Sequence, residues 1–510
     1  MRPGDAPTQL SLGTTGDAAN LHVLRTIRLP DRYESLFDRV GGEYTKVLVP
    51  PPQATVRTFT TLANSIVARG QGLFVPIFAP TGTGKTTFAN SLSSFPMFAS
   101  TFGRSIPYTG SIDFNSLNEA VARELSTTSA DDNRILTVNL DHRESNPPTQ
   151  EELSTIKRFL RYPSLGHRCL LVWPETNETV ARDIARRYLE IAGSSVVNLP
   201  VMLEGPPRDE WQSIALHTLE VCNPIPDVAE LADPRTLKVG HFATLGAFLE
   251  GVSNSVAREI TRILEATTRP LSLAILFASL SNRSGVLTEL AGGKHYGLLD
   301  ASRLLNATRE SVIGQWWEGH RGLLTRSIVA LDARVLCLPP ATSIAILREY
   351  GDAGLRQALA DLKVRKGPAD MRERLDASEL GQFLRGRLLP TFEYRAHPPP
   401  IAGPAFAELA KRGFTTGKDK VLNRAVASAI DDYLRRGSIG FERVSAEERL
   451  EFAPLIPDNA IYFAQNVRCL EFTWRSTDYL VPRNRSEIAI YVLDKLKNYA
   501  RELGWVGSTE

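Results

Sequence analysis

Residues 74–92 read FVPIFAPTGTGKTTFANSL, and this stretch decides the fold class of the chain. It begins with a short apolar run, continues through a loop with two glycines, and ends in a segment with helical character. A short apolar run bounded by glycines is typical of a buried strand, and the residues after Lys85 are able to continue as a helix. The sequence therefore predicts a strand–loop–helix unit centred on residues 79–86.

The residue types of this loop indicate that it binds phosphate. Gly82 and Gly84 allow the backbone to turn so that successive N–H groups point inward towards an anion. Lys85 supplies a positive charge for the phosphate oxygens, and the Thr86 hydroxyl is a ligand for Mg²⁺. Ala79 stands where a glycine is usual, but that position needs only a compact residue. The residues predicted to bind nucleotide are Thr81, Gly82, Thr83, Gly84, Lys85, Thr86 and Thr87.

The composition is that of a globular chain with several domains. Of the 510 residues, 43% are hydrophobic and 23% are charged, and this length predicts roughly two to four domains. The formal net charge is +2, so any surface for nucleic acid must be a local patch. Residues 1–20 lack the apolar core of a secretory signal and no apolar run is long enough to cross a bilayer, so we expect a cytoplasmic protein with no membrane partner. Four scattered cysteines without metal-binding spacing fit a reducing compartment, namely Cys169, Cys222, Cys337 and Cys469.

Helices and strands alternate around the loop. Helices are predicted at 53–69, 115–125, 150–160 and 178–192. Further strands are predicted at 134–140, 169–173 and 195–203. This alternation predicts a parallel sheet with helices on both faces. We therefore expect an α/β domain over residues 45–225, preceded by a leader over residues 1–44.

This arrangement resembles the P-loop NTPases, and its strand spacing is similar to that of the AAA-type ATPases, which have an additional strand between the P-loop strand and the Walker B strand. Asp141 follows an apolar run, and the resemblance implies that it is the Walker B aspartate, which holds Mg²⁺. Asn177 or Thr176 follows the next strand, where the family places a polar residue that senses the γ-phosphate. An ordinary acid at the end of a strand is the alternative interpretation of Asp141.

The residue that activates water is the main departure from this family. A carboxylate often follows the Walker B acid directly, whereas this chain has His142 there. Glu144 and Glu175 are the nearest acids, and we predict that one of them takes this role. The sequence thus predicts ATP and Mg²⁺ as ligands and leaves open whether the ATP is hydrolysed.

The helix after Asn177 carries Arg182, Arg186 and Arg187. The resemblance implies a homo-oligomer in which one of these arginines reaches the nucleotide of the neighbouring subunit. A solvated helix face is the alternative.

Residues 226–395 have mostly helical periodicity, which predicts a helical lid or extension behind the ATPase domain. One β-like run, residues 270–279, interrupts this region. The adjacent pair Trp316 and Trp317 and the run 331–340 are distinctive, but they indicate no particular chemistry.

The C-terminal region, residues 405–510, follows a stiff segment that contains three consecutive prolines at 398–400. Its predicted order is a helix, three strands and a helix, at 419–435, 438–444, 459–465, 467–475 and 486–503. This order resembles the core of the PD-(D/E)xK nucleases, which implies that Asp458 and Glu471 share a divalent metal ion. Thr473 stands where the family has a lysine, and Lys495 and Lys497 on the last helix are candidate substitutes. A small α+β domain with incidental acids is the alternative.

The leading hypothesis is an AAA-like ATPase that acts on DNA as a switch or motor. An ATPase joined to a nuclease-like domain is similar, by analogy, to bacterial systems that act against foreign DNA. One alternative is an ATP-gated scaffold that recruits a partner effector, and another is a metal-dependent nuclease that ATP regulates. The predicted partners are DNA, a protein and further copies of this chain.

Overall fold

The structure, a computed structural model, divides into two compact units. The P-loop unit comprises Arg28–Cys222 and Asp233–Ser255, and the second unit comprises Met1–Ile27, Asn223–Ala232 and Val256–Glu510. The residues described are 23–129, 131–143, 146–223, 225–265, 270–280, 285–292, 295–363, 370–386, 402–413, 419–475 and 478–506. Residues 1–22 of the predicted leader, the three prolines at 398–400 and the candidate Glu144 therefore lie outside the described residues.

Among the residues that the structure describes, the P-loop unit contains five strands, seven whole α-helices and the beginning of an eighth. The helices are α1 (Tyr33–Val40), α2 (Gln53–Arg69), α3 (Lys85–Asn90), α4 (Phe114–Thr127), α5 (Gln150–Leu160), α6 (Glu178–Ala192), α7 (Trp211–Cys222) and the beginning of α8 (Leu245–Glu265). The strands are β1 (Leu73–Phe78), β2 (Phe102–Pro107), β3 (Ile135–Asn139), β4 (Cys169–Glu175) and β5 (Val201–Met202).

All five strands of this unit are parallel, in the order β2-β3-β4-β1-β5. The predicted parallel sheet is therefore confirmed, and β4 is the additional strand that separates β1 from β3. Because the carboxyl ends of parallel strands meet at one edge, the loop after β1 lies on the same edge as the residues after β3 and β4.

Apolar side chains on both faces hold this sheet between layers of helices. Leu170 and Val172 of β4 join a cluster with α2 and α3, whereas Leu171 and Trp173 join a second cluster with α4, α5 and α6. Successive side chains of a strand point to opposite faces, so a continuous apolar run such as residues 169–174 is what a doubly covered strand requires.

The predicted strand at 195–203 is wrong over most of its length, because only Val201–Met202 pairs with β1. Pro200 precedes the paired residues and has no N–H group to donate to a neighbouring strand. The apolar residues Val197 and Leu199 still pack against the core, which is why the segment reads as a strand from hydropathy alone.

The second unit contains the end of α8 and the remaining elements. Its helices are α9 (Gly285–Thr288), α10 (Ala301–Ala307), α11 (Val312–Glu318), α12 (Arg321–Ala330), α13 (Pro340–Tyr350), α14 (Ala353–Asp361), α15 (Met371–Asp376), α16 (Glu379–Leu384), α17 (Ala402–Gly413), α18 (Asp419–Arg436) and α19 (Arg485–Glu502). Its strands are β6 (Leu271–Ala278), β7 (Arg334–Leu338), β8 (Arg443–Ala446), β9 (Asn459–Tyr462) and β10 (Val467–Trp474). Among the described helices of the chain, none is long and apolar enough to span a bilayer.

The sheet of the second unit is mixed, in the order β7-β6-β10-β9-β8. β10 pairs antiparallel with β9 and parallel with the whole of β6, from Leu271 to Ala278. The β-like run at 270–279 thus lies in one sheet with the C-terminal strands. The unassigned run at 331–340 supplies the buried strand β7. The predicted fold class, a parallel P-loop sheet with a helical extension and a C-terminal α+β part, is confirmed.

Glu379 is a charged residue inside the core of the second unit, where only 1% of its surface is exposed. Its Oε2 accepts a hydrogen bond from the Cys337 backbone N–H at 2.6 Å, and its Oε1 accepts one from the Tyr296 hydroxyl at 2.8 Å. Burial raises the pKa of Glu379 from 4.5 to about 7, and the two hydrogen bonds oppose this rise only in part.

We expect the second unit to lose stability as the pH rises from about 4.5 through about 7. The unfolded chain ionises Glu379 first, so the contribution of the protonated group is complete below its unfolded pKa and lost above its folded pKa. The loss reaches on the order of 3 kcal/mol. Hydrogen exchange of the β7 amides, corrected for the intrinsic pH effect, measures it. Glu379→Gln should make the pH profile shallower, and Asp458, whose pKa burial also raises to about 7, accounts for the dependence that stays. The exposed Glu349→Gln should not change the profile, so equal profiles for the two variants would contradict an origin at Glu379.

Candidate functional site

The loop between β1 and α3 has the backbone that its glycines predict. Gly82 has φ of 78° and Gly84 has φ of 96°, both in the region that side-chain-bearing residues rarely adopt. Gly84 immediately precedes Lys85, the first residue of α3. The two glycines therefore turn the chain from the end of β1 into the helix within a few residues.

Lys85 is anchored inside the loop. Only 8% of the residue is exposed, and its Nζ donates hydrogen bonds to the carbonyls of Ala79 at 2.8 Å and Pro80 at 3.2 Å. A buried ammonium group needs such acceptors, because an uncompensated charge is expensive to bury. The lysine side chain is thus folded back over the loop, where its charge is available to an anion cradled by the backbone.

A segment distant in sequence braces the same loop. The Gly246 N–H donates to the Gly82 carbonyl at 2.8 Å. A Cβ atom on Gly246 would lie 2.7 Å from the Gly82 Cα, and one on Gly82 would lie 2.7 Å from the Thr244 Oγ1. Both glycines are therefore required for the approach of the start of α8 to the loop. No local pattern around Gly82 or Gly246 predicts this contact, because the two residues are distant in sequence.

A cavity of about 570 Å³ in the P-loop unit brings the predicted nucleotide-binding residues together. Its wall includes every one of the residues Thr81, Gly82, Thr83, Gly84, Lys85, Thr86 and Thr87. Asp141, His142 and Thr176 reach the same cavity from the ends of β3 and β4. An apolar part of the wall is formed by Val47, Leu48, Pro50, Pro51, Pro52, Phe88, Phe95, Leu203, Ile214, Leu245 and Leu249. The volume and the mixture of apolar and polar lining are those of a small-molecule site.

Asp141 is held in place at the end of β3, and 5% of its surface is exposed. Its Oδ1 accepts a hydrogen bond from the His142 N–H at 2.9 Å, and its Oδ2 accepts one from the Asn139 Nδ2 at 3.3 Å. A carboxylate oxygen of Glu34, in α1, lies within 4.8 Å of both the Asp141 carboxylate and a His142 ring nitrogen. The sequence interpretation missed Glu34, because it assigned residues 1–44 to a leader.

Glu175 and Asn177 adjoin the cavity without being part of its wall. Glu175 is 1% exposed, and its Oε1 accepts hydrogen bonds from the backbone N–H groups of Thr176 at 2.7 Å and Asn177 at 3.0 Å. The Asn177 Oδ1 caps α6 by accepting from the N–H groups of Thr179 and Val180. The Glu175 Oε2 is buried and has no hydrogen-bond partner among the described residues. The catalytic roles of Glu175 and Asn177 stay predictions.

The three arginines of α6 make ion pairs within that helix. Arg182 pairs with Glu178, Arg186 with Asp183 and Glu190, and Arg187 with Asp183 at 3.7 Å. These pairs are those of a solvated helix face, and the arginine-finger role stays a prediction.

The predicted acids of the C-terminal region lie beside one of the two candidate lysines. Glu471, in β10, is 3% exposed, and its Oε2 forms a short ion pair with the Lys495 ammonium of α19. Its Oε1 accepts a hydrogen bond from the Tyr499 hydroxyl at 2.7 Å. Asp458 precedes β9, and its Oδ2 accepts from the Phe472 N–H at 2.6 Å.

Asp458 and Glu471 are close enough to influence each other electrostatically. Burial and the negative charge of Glu471 raise the pKa of Asp458 from 3.8 to about 7, although the Phe472 N–H and the charge of Lys495 oppose the rise. Lys497 takes no part, because its Nζ lies over the Trp316 ring, 3.6 Å from the centroid. Lys495 is therefore the lysine that joins the acidic pair. A shared metal ion at this pair stays a prediction.

Comparisons with known proteins add little to this geometry. No protein-family model and no curated protein matches the chain. Among solved structures, the crystal structure of Cdc6p from Pyrobaculum aerophilum aligns over 95% of this chain and 98% of that chain, with 10% identity and a TM-score of 0.26. A similarity at that TM-score carries no argument. The class rests instead on the parallel sheet and on the glycine-lysine loop after β1, which define a P-loop NTPase-like fold.

Removing the Lys85 ammonium should weaken nucleotide binding. We expect Lys85→Ala to raise the Kd for a fluorescent ATP analogue by roughly 10–150-fold, the equivalent of one charged hydrogen bond to phosphate. Lys238→Ala, at an exposed lysine of the same unit, is the matched control and should bind like the unsubstituted protein. Equal affinities for the two variants would mean that this loop does not hold the phosphates.

Proposed function

We propose that the P-loop unit binds ATP with Mg²⁺ and hydrolyses it, as a switch or motor of the AAA-like type. The observation that supports this most directly is the single cavity shared by the glycine loop, the anchored Lys85 and Asp141. Two parts of the chain that are distant in sequence, the loop with Lys85 and the residues after β3, contribute to that wall, and each supplies a group that phosphoryl transfer needs. Such reactions depend mainly on positioning and on charge stabilisation.

The polar groups of the loop and Asp141 each have a defined task in this proposal. The backbone N–H groups of the loop and the Lys85 ammonium bind the β- and γ-phosphates and stabilise the charge that develops as the bond between them breaks. The Thr86 hydroxyl and the Asp141 carboxylate are oxygen ligands on the same cavity wall, which fits a hard cation such as Mg²⁺. When bound, that cation neutralises phosphate charge. The apolar residues of the cavity wall between positions 47 and 52 offer a surface for the adenine ring of ATP.

The finer parts of the proposal concern partners. We propose DNA as the partner on which the ATPase acts, a protein partner, and self-association through α6. The support for DNA is the resemblance of residues 405–510 to nucleases, and a role against foreign DNA follows only by analogy. The net charge of +2 requires that any DNA-binding surface be local.

A measurement of ATP turnover distinguishes the proposed motor from an ATP-gated scaffold. We expect the purified protein to release phosphate from ATP with Mg²⁺, faster with duplex or single-stranded DNA. Lys85→Ala and Asp141→Ala should each lower the rate about 100-fold or more, since each removes charge stabilisation worth several kcal/mol. Asp209→Asn, at an exposed acid outside the cavity, should leave the rate unchanged. Binding without turnover under every condition would contradict the motor and favour an ATP-gated scaffold.

A second candidate function, metal-dependent cleavage of nucleic acid, is favoured by the contact between Glu471 and Lys495. The nuclease pattern would have a lysine where this chain has Thr473. Here the ion pair brings the Lys495 ammonium group, from α19, beside Glu471 instead. The negative charge of Glu471 contributes to the raised pKa of Asp458, and a divalent cation bound between the two carboxylates would relieve that repulsion. In this proposal Asp458 and Glu471 hold the cation, and Lys495 offsets the charge developing on the phosphate.

We expect cleavage of plasmid DNA that requires Mg²⁺ or Mn²⁺, read as loss of the supercoiled form. Glu471→Gln and Lys495→Met should lower the rate about 100-fold or more. Glu451→Gln and Lys411→Met are matched controls, because both side chains are largely exposed in the same unit. Cleavage that persists in Glu471→Gln and Lys495→Met would exclude this acidic site as the nuclease centre. If the unsubstituted protein does not cleave DNA, the nuclease proposal fails and only the ATPase proposal stands.

A further inference from the structure

The position after Asp141 leaves the reaction without an obvious base. His142 stands there, and Glu175, the described candidate, uses its Oε1 to accept from two backbone N–H groups. Glu175 is also absent from the cavity wall. A group that takes a proton from water must come within hydrogen-bond reach of that water, directly or through one further molecule. A carboxylate that faces the cavity meets this requirement, and the acids of its wall besides Asp141 are Asp31, Glu34, Glu204 and Glu250.

Glu34 is such a carboxylate. It lines the cavity, and 47% of its side chain is exposed, so water reaches it. Its Oε1 lies 3.9 Å from the His142 Nε2, and one of its oxygens lies within 4.8 Å of the Asp141 carboxylate. One water molecule that hydrogen-bonds to both groups spans a separation of this size. Glu34 thus faces the space beside the proposed phosphate and metal groups.

Helix α1 holds Glu34 in this position through its packing. Leu36 is buried, and the rings of Tyr33 and Phe37 pack edge-on against Tyr44 at centroid distances of 5.4 and 5.7 Å. The Arg39 Nε donates to the Cys222 carbonyl, at the end of α7, at 3.0 Å. A catalytic group is effective when its supporting element is rigid, and these contacts supply that support.

The backbone after β3 holds His142 in position. Its φ of 59° lies in the left-handed region, which is uncommon for a residue with a side chain. The hydrogen bond from its N–H to the Asp141 Oδ1, at 2.9 Å, fixes that turn. Local conformations of this kind persist only where the surrounding contacts determine them, and they concentrate at functional sites. The turn directs the imidazole towards Glu34.

We propose that Glu34 is the general base of ATP hydrolysis and that His142 is the residue that positions it. This inference rests on the proposed ATPase function. The water oxygen forms a bond to the γ-phosphorus, and the bond from that phosphorus to the bridging oxygen breaks. The bridging oxygen leaves with the electron pair as part of ADP, and the water proton passes to the Glu34 carboxylate, which later returns it to solvent. The chain thus supplies from α1 the carboxylate that the position after Asp141 lacks.

The test is steady-state phosphate release by the full chain, together with the Kd of a fluorescent ADP and the binding of Mn²⁺ followed by electron paramagnetic resonance. We expect Glu34→Gln to lower kcat about 100-fold or more, with both binding constants within about threefold of the unsubstituted values because the loop is intact. Glu34→Asp keeps the carboxylate and should lower kcat less than Glu34→Gln does. His142→Asn, which tolerates the left-handed turn, should lower kcat about tenfold.

Asp38→Asn is the matched control, since Asp38 lies on the same helix, is exposed and does not line the cavity. Turnover by Glu34→Gln equal to that of Asp38→Asn would overturn the inference. A large loss of Mn²⁺ affinity in Glu34→Gln would also overturn it, because Glu34 would then be a metal ligand. If the unsubstituted protein binds ADP without any turnover, hydrolysis itself fails and the role of Glu34 falls with it. That outcome is distinguishable from equal turnover by Glu34→Gln and Asp38→Asn, in which the unsubstituted protein hydrolyses ATP.

Discussion

The parallel pairing of β1 with β4 is the constraint on which the rest of the P-loop unit depends. Their register runs from Leu73 opposite Leu170 to Phe78 opposite Glu175, and the Ala79 N–H continues it by donating to the Glu175 carbonyl at 3.3 Å. The phosphate loop therefore starts beside the residues that follow β4. Since β3 pairs with the other edge of β4, Asp141 is brought to the same end of the sheet.

Local signals in the sequence predicted most of this sheet and its helices. The bounds of α2, α5 and α6 agree with the patterns that predicted them, because each has a strong local boundary. α5 begins with a capping box in which the Thr149 side chain and the Glu152 side chain each accept from the other's backbone N–H. α6 begins at the Asn177 cap. The seven loop residues also line one cavity, as their motif indicates.

The parts that the sequence did not predict depend on contacts between distant segments. β7 is a short buried run between helices, and its identity as a strand comes from pairing with β6. Glu34 reaches Asp141 only because α1 packs by its aromatic side chains within the P-loop unit. The pairing of Lys495 rather than Lys497 with Glu471 follows from the face of α19 that meets the sheet. Periodicity places a residue on a face, but it does not identify the partner of that face.

The contact between Gly82 and Gly246 has a consequence for the order in which the protein is made. The P-loop unit is discontinuous, and the segment that braces its loop belongs to Asp233–Ser255. A ribosome adds about 5–20 residues per second, so the strands of the parallel sheet emerge several seconds before Gly246 does. A nascent chain therefore exposes a phosphate loop whose support is still inside the ribosome. The nucleotide pocket becomes complete only when synthesis has passed the start of α8, well after its sheet is able to form.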